Sequence, residues 1–183
     1  MTTATVQEID LRADIIRPKL KQQQLFDLTW QGVVRGSPEY LLFGGAAGPG
    51  KSYSLRWDAV LVLLRLYQEY GLSDVRIGLF CETYPALRDR HVDHIRAWPS
   101  WLGSYNESIH NFTLRTELGG GILSLRNLDQ AEKYASAEFA AIFVDELTMN
   151  DRETFELLRT RKRWPGVPHS PFVAATNPRE KGR

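Results

Sequence analysis

Eight consecutive residues carry the first chemical signal in this chain: Gly45-Ala46-Ala47-Gly48-Pro49-Gly50-Lys51-Ser52. They fit the spacing Gly-x4-Gly-Lys-Ser/Thr, whose chemistry is the cradling of phosphate. The glycines let the main chain turn tightly around an anion, and a helix N-terminus behind them adds unpaired N–H groups and positive potential. Lys51 would reach the β and γ phosphates, and the Ser52 hydroxyl would ligate Mg²⁺. The phosphate-binding stretch is read as Gly45 through Ser52 together with Tyr53. Pro49 is the odd member, because it has no N–H to offer. A missing hydrogen bond costs about 1 kcal/mol, and a fixed φ that stiffens a glycine-rich loop offsets it. A glycine-rich turn before an ordinary helix would be the plain alternative.

A second signal is Asp145-Glu146, which follows the apolar run Ala141–Val144. Acids at the C-terminal end of a buried strand stand where open α/β sheets bind ligands. Asp145 there would hold Mg²⁺ through its water shell, and Glu146 would orient and activate a water for in-line attack on a γ-phosphate. Two acids after a strand can also be plain turn residues; the phosphate loop favours the chemical reading. A third signal closes another apolar run, "FVAATNP", where Thr176 and Asn177 could sense the γ-phosphate. An Asn-Pro turn is the bland reading of that pair.

These groups need elements to position them. After an N-terminal arm (1–17), Pro18 suits the first turn of a helix through "KLKQQQLFDLTWQG". "YLLFGG" (40–45) predicts a buried strand, and 51–70 predicts a helix closed by Gly71. "VRIGLFC" (75–81) predicts a second buried strand, "PALRDRHVDHIRAW" a helix, and "NFTLRTELGGGILSLRNL" a hairpin turning at Gly119–Gly121. "FAAIFVDEL" predicts a third apolar strand and "PFVAATNP" a fourth. Between them "DRETFELLRTRKRW" predicts a helix capped by Asn150 or Asp151. Apolar strands alternating with helices imply an α/β fold with a mainly parallel sheet covered on both faces.

Composition narrows the class. The chain has 183 residues, enough for one domain with its own core. The longest apolar run, Ala59–Leu64, is far too short to span a bilayer. The N-terminus carries acids and no apolar stretch, unlike a secretory signal. A single cysteine, Cys81, excludes an internal disulfide and fits a reducing cytoplasm. A net charge of +1 neither requires nor excludes a nucleic-acid partner.

Together, "FGGAAGPGKSYSLR", "EKYASAEFAAIFVDELT" and "VAATNPRE" resemble the Walker A, Walker B and coupling motifs of the large subunit of viral DNA-packaging terminases, and "FCETYPALRD" is similar to the segment that follows that family's second strand. The resemblance spans roughly 18–180. It implies a three-layer P-loop NTPase of RecA-like type, with a strand between the phosphate-loop and Walker B strands; "VRIGLFC" is consistent with that strand. It implies ATP and Mg²⁺ as cofactors, Glu146 and Lys51 as catalytic residues, and Ser52 and Asp145 as metal ligands. Thr176 and Asn177 would couple hydrolysis to movement. "RPKLKQQQLF" resembles the family's adenine-reading segment, with Gln22 the best match and Gln23 or Gln24 one register away. The implied partners are double-stranded DNA, a portal protein, the terminase small subunit and further copies in a ring, acting in the host cytoplasm without a membrane. A nuclease domain normally follows the ATPase in this family. The chain ends seven residues after Thr176, so an ATPase fragment without nuclease activity is expected.

Two departures stand out. The loop has Ala-Ala-Gly-Pro at 46–49 where some relatives carry a cis-acting arginine. Tyr134-Ala135-Ser136 stands where others carry a trans-acting one. The arginine finger is therefore unassigned, with Arg88, Arg126, Arg159 and Arg161 as candidates. Other features read as structural. "RTRKRW" is basic enough to grip DNA, yet cations in a helix's last turn also answer its dipole. Asp89, His91, Asp93 and His94 suggest a metal less than a solvated helix face. The five tryptophans read as packing and Cys81 as a small buried residue. Three other functions compete: a helicase-like or other RecA-like ATPase, a nucleotide-gated binding module without hydrolysis, and, more remotely, a small-molecule kinase.

Overall fold

The computed structural model describes residues 16–45 and 50–177. Most of the N-terminal arm, Ala46 to Pro49, and the six residues after Asn177 lie outside that range. The expectations placed on Ala46, Ala47, Gly48 and Pro49 fall there.

Helix α1 (Leu20–Arg35) opens on a capping box in which the Lys19 N–H donates to Gln22 Oε1 at 2.8 Å. Gly36 ends it in the left-handed conformation. Strand β1 (Tyr40–Gly44) leads into the loop, and α2 (Lys51–Tyr70) follows with Gly71 as its left-handed stop. Strand β2 (Arg76–Cys81) comes next. The helix expected after it runs without interruption through 84–96 as α3 (Tyr84–Leu87), a π-helical turn (Arg88–Val92) and α4 (Asp93–Arg96), so the π turn is the unexpected part. Strands β3 (Gly103–Asn106), β4 (Asn111–Leu114) and β5 (Ile122–Asn127) form an antiparallel meander, of which the short polar β3 has no apolar signal. Strand β6 (Ile142–Val144), helix α5 (Arg152–Arg159) and strand β7 (Phe172–Thr176) complete the described chain. Asp151 caps α5, accepting from the Thr154 N–H at 2.7 Å.

The sheet runs β1-β7-β6-β2-β5-β4-β3, with the first five mutually parallel. Period-two alternation divides its side chains between two cores. Ile77, Leu79, Phe143, Val173 and Ala175 pack with α1 and α2 residues such as Phe26, Leu55 and Val60. Phe80, Ile142, Val144, Phe172 and Ala174 pack on the other face with Leu158 of α5, Ala131 and Tyr134. Helix, sheet and helix thus form the three expected layers. Among the described residues no helix is long and apolar enough to cross a membrane.

The topology corrects two sequence expectations. The strand between β1 and the Asp145-bearing β6 is β7, not "VRIGLFC"; β2 lies on the far side of β6. And β1 is not buried: it is the sheet's outer strand, its exposure alternates, and Leu42 stays 63% exposed. An apolar run of that length reads the same at an edge and in the middle.

Candidate nucleotide site

Parallel order brings the ends of β1, β6 and β7 to one edge, and the three chemical signals meet there. Gly50 has φ +138° and heads α2. That φ favours glycine, and a Cβ at Gly50 would also press on the end of the Gln22 side chain, 3.2 Å from Nε2. Lys51 Nζ donates to the Gly45 carbonyl at 3.2 Å, linking the two flanks of the loop. Ser52 Oγ donates to Asp145 Oδ2 at 2.6 Å, joining the first turn of α2 to the end of β6 across 93 residues of sequence. Tyr53 donates its hydroxyl to the Ile16 carbonyl at 2.5 Å, so anything it gives a phosphate comes from its main chain.

Asp145 is 1% exposed. Burial pushes its carboxyl up, but bonds from His91 and Ser52 and the charges nearby outweigh burial and hold it below the usual carboxylate range. Its Oδ1 accepts from the Glu146 N–H at 3.1 Å. Glu146 itself has φ +50°, a conformation that costs a non-glycine residue about 1–3 kcal/mol and tends to occur at functional sites. The turn carries its carboxylate to the end of β7. There Oε1 accepts from Asn177 Nδ2 at 2.5 Å and Oε2 from the Asn177 main-chain N–H at 3.1 Å. Asn177 Oδ1 is buried and has no protein partner among the described residues. Thr176 Oγ1 lies 2.7 Å from Thr148 Oγ1, a second tie between the segment after β6 and the end of β7.

The donor set suits a hard cation. A hydroxyl and a carboxylate oxygen 2.6 Å apart are ligands of the kind Mg²⁺ takes. Behind the carboxylate, Cys81 Sγ, a His91 ring nitrogen and an Asp145 oxygen all lie within 4.8 Å of one another. Burial pushes the Cys81 thiol up, so it remains a thiol at neutral pH. Arg56 adds a positive charge next to this group, which makes it a poor thiolate metal centre.

Gln22 Nε2 donates to the Gly50 carbonyl at 3.4 Å, which puts Gln22 beside the loop while Gln23 and Gln24 face solvent. His91 corrects the reading of a solvated helix face: it is fully buried against Asp145, whereas His94 is exposed. A signal for it was available, because His91 sits four residues after Leu87 and four before Ile95, inside the buried stripe. The arginine-finger candidates are all engaged locally: Arg88 with Asp89, Arg126 with Asn111 and three carbonyls, Arg159 with Glu156, and Arg161 with the Ala135 carbonyl. The cations of "RTRKRW" are likewise paired within the fold. Lys162 meets Glu39 at 2.6 Å and Arg163 meets Glu138 at 2.7 Å, while α5 ends at Arg159 rather than running through Trp164. Trp57 stacks on Trp98 with ring centroids 4.6 Å apart, in keeping with packing.

No protein-family model and no curated protein matches the sequence. Solved structures do. The large terminase of a thermophilic bacteriophage superposes with a TM-score of 0.68 at 16% identity, over 88% of this chain and 39% of that one. The large terminase of bacteriophage HK97 gives a TM-score of 0.63 at 9% identity, over 87% of this chain and 33% of that one. The thermophilic phage enzyme in complex with ATP-γ-S also matches, with a TM-score of 0.62 at 16% identity over 88% and 38% of the two chains. The chain therefore spans about two fifths of the thermophilic phage protein's length. Strand order, helical layers and these superpositions agree: this chain has a mainly parallel α/β fold like that of the matched part of the bacteriophage large terminases.

Proposed function

We propose that this chain is the ATPase module of a phage large terminase, using Mg²⁺-dependent ATP hydrolysis to drive double-stranded DNA into a procapsid. The observation that carries the reading is the convergence of Ser52, Asp145, Glu146 and Asn177 at one sheet edge beside the phosphate loop. The fold shared with the thermophilic phage terminase, which was solved with ATP-γ-S and with ADP, supports a nucleotide as ligand.

Ser52 and Asp145 would hold Mg²⁺, which supplies charge neutralisation at the β and γ phosphate oxygens. Lys51 adds its charge to the same oxygens and lowers the cost of the charge that spreads over them during transfer. Glu146 accepts hydrogen bonds from Asn177 on both oxygens, which holds the carboxylate in one orientation. Each oxygen keeps a lone pair for a water, so Glu146 can orient that water and take its proton. Asn177 Oδ1, a buried acceptor without a partner among the described residues, gives the coupling segment a way to register a water that donates to it. Gln22 beside Gly50 is assigned to the adenine edge.

Phosphate release by the whole chain, measured with and without double-stranded DNA, tests the reading. Turnover that DNA stimulates, that disappears in Glu146→Gln with ADP binding intact, and that accompanies no strand separation is the expected result. Strand separation would make the chain a helicase-like ATPase. Nucleotide binding without any wild-type turnover would make it a gated binding module. Binding to a portal protein, and a rate per molecule that rises with protein concentration, are expected if copies form a ring that supplies the missing arginine in trans.

A further inference from the structure

None of the roles above uses the buried group behind the metal carboxylate. His91 is fully enclosed, and its Nε2 lies 3.1 Å from Asp145 Oδ2, the same oxygen that takes the Ser52 hydroxyl. A carboxylate oxygen can only accept, so at that distance Nε2 carries the hydrogen. A neutral ring with its proton on Nε2 presents a lone pair at Nδ1. Arg56 Nη1 stands 3.5 Å from that atom, and Arg56 is itself anchored on the Arg90 carbonyl. The order of donation is Arg56 to His91 to Asp145, and it fixes the tautomer.

The backbone is shaped for this contact. His91 sits in the π-helical turn Arg88–Val92, where the Asp93 N–H reaches back to the Arg88 carbonyl. One extra residue per turn is a local cost in helix geometry, and such turns occur frequently at functional sites. Here the turn joins Leu87 and Ile95, both buried, and the ring between them meets the end of β6.

We propose that His91 is a positioning residue for the Mg²⁺ site: it holds the Asp145 carboxylate in place independently of Ser52. When the Ser52 hydroxyl turns its oxygen toward a cation, Asp145 loses one of its anchors. His91 on Oδ2 and the Glu146 N–H on Oδ1 then keep both oxygens oriented. Outer partners of metal ligands of this kind typically change metal affinity by about 10–100-fold when removed.

The proposal rests on the nucleotide-site reading, and the experiment separates the two. Binding of a fluorescent ADP analogue to the whole chain is titrated with Mg²⁺ for wild type, His91→Gln and His91→Met. Glutamine keeps a donor at the reach of Nε2; methionine keeps the volume without one. The Mg²⁺ concentration for half-maximal binding is expected to rise about tenfold or more in His91→Met and by less than about threefold in His91→Gln. Affinity in EDTA should be equal in all three. Equal Mg²⁺ requirements in the two variants would overturn the proposal. Should His91→Met fail to fold, imidazole ¹⁵N spectra of the wild type decide. A ring protonated at Nε2, whose signals move when Mg²⁺ is added to the ADP complex, supports the proposal; a ring protonated at Nδ1, or signals that do not move, overturns it. A wild-type chain that binds no ADP at any Mg²⁺ concentration overturns the nucleotide site itself, and the proposal with it.

Discussion

Replacing Asn177 by alanine tests how the end of β7 is joined to the chemistry. In the folded chain the Asn177 side chain donates to Glu146 Oε1 at 2.5 Å, while its main-chain N–H donates to Oε2 at 3.1 Å. The substitution removes the shorter bond and leaves the other. A hydrogen bond to a charged group is worth about 1.5–3 kcal/mol, and Glu146 is only half-buried, so the lower end applies. If that bond aims the carboxylate at the attacking water, its whole value appears in the transition state, and about 1.5 kcal/mol corresponds to roughly a tenfold loss in kcat. ADP affinity should change by less than about twofold, because neither atom is assigned a ground-state contact with nucleotide. Asn177→Asp should be worse, since it sets a second carboxylate against Glu146. The assay is steady-state phosphate release at saturating ATP, with fluorescent ADP binding as the control. An Asn177→Ala chain with unchanged kcat would refute the aiming role, and a faster one would show that the bond parks Glu146 away from water.

Three further outcomes follow from the same contacts. Thr29 Oγ1 donates to Asp58 Oδ2 at 2.6 Å between α1 and α2, with both residues buried. Thr29→Val should cost about 2 kcal/mol and lower Tm by about 4–8 °C; an unchanged melting curve would show that Asp58 is satisfied without it. Glu39 is held below its ordinary pKa by the Lys162 hydrogen bond, so it contributes stability that is present above 4.5 and lost as pH falls through the lowered value. The pair is largely exposed on the Glu39 side, which limits the effect to about 1 kcal/mol or less. Acid-denaturation curves of wild type and Glu39→Gln should therefore separate only slightly, and a large gap would contradict that screening. Pro49→Ala should alter ATP affinity by less than about tenfold, the restored donor being offset by a looser loop; a larger gain in an equilibrium titration would mark the proline as a handicap.

Much of the frame was legible from residue order. α2 has the predicted limits, 51–70, because a Gly-Lys-Ser start, a continuous apolar face and Gly71 are local signals. The hairpin at Gly119–Gly121 was legible for the same reason: Gly119 and Gly120 have φ of +94° and +63°, which glycine adopts freely. The helix through 85–98 was legible too, but the π-helical turn inside it was not, since that turn sets His91 against the end of β6, a strand about fifty residues later. The exposure of β1 was also hidden, because an edge strand with an apolar sequence differs from a central one only in what lies beside it.

For the site, the sequence by itself determined the chemistry on offer: a phosphate loop, two acids at a strand end, a polar pair at another. Those are properties of residue type and short spacing. Which groups touch was decided by the tertiary structure alone. Inserting β7 between β1 and β6 sets Asn177 against Glu146, and closing α2 over the sheet sets Ser52 against Asp145. Burying His91 beneath that carboxylate turned a histidine that read as surface into part of the site. Hydrogen bonds reach about 3 Å, and a partner that many residues distant is chosen by strand order, which no local pattern encodes.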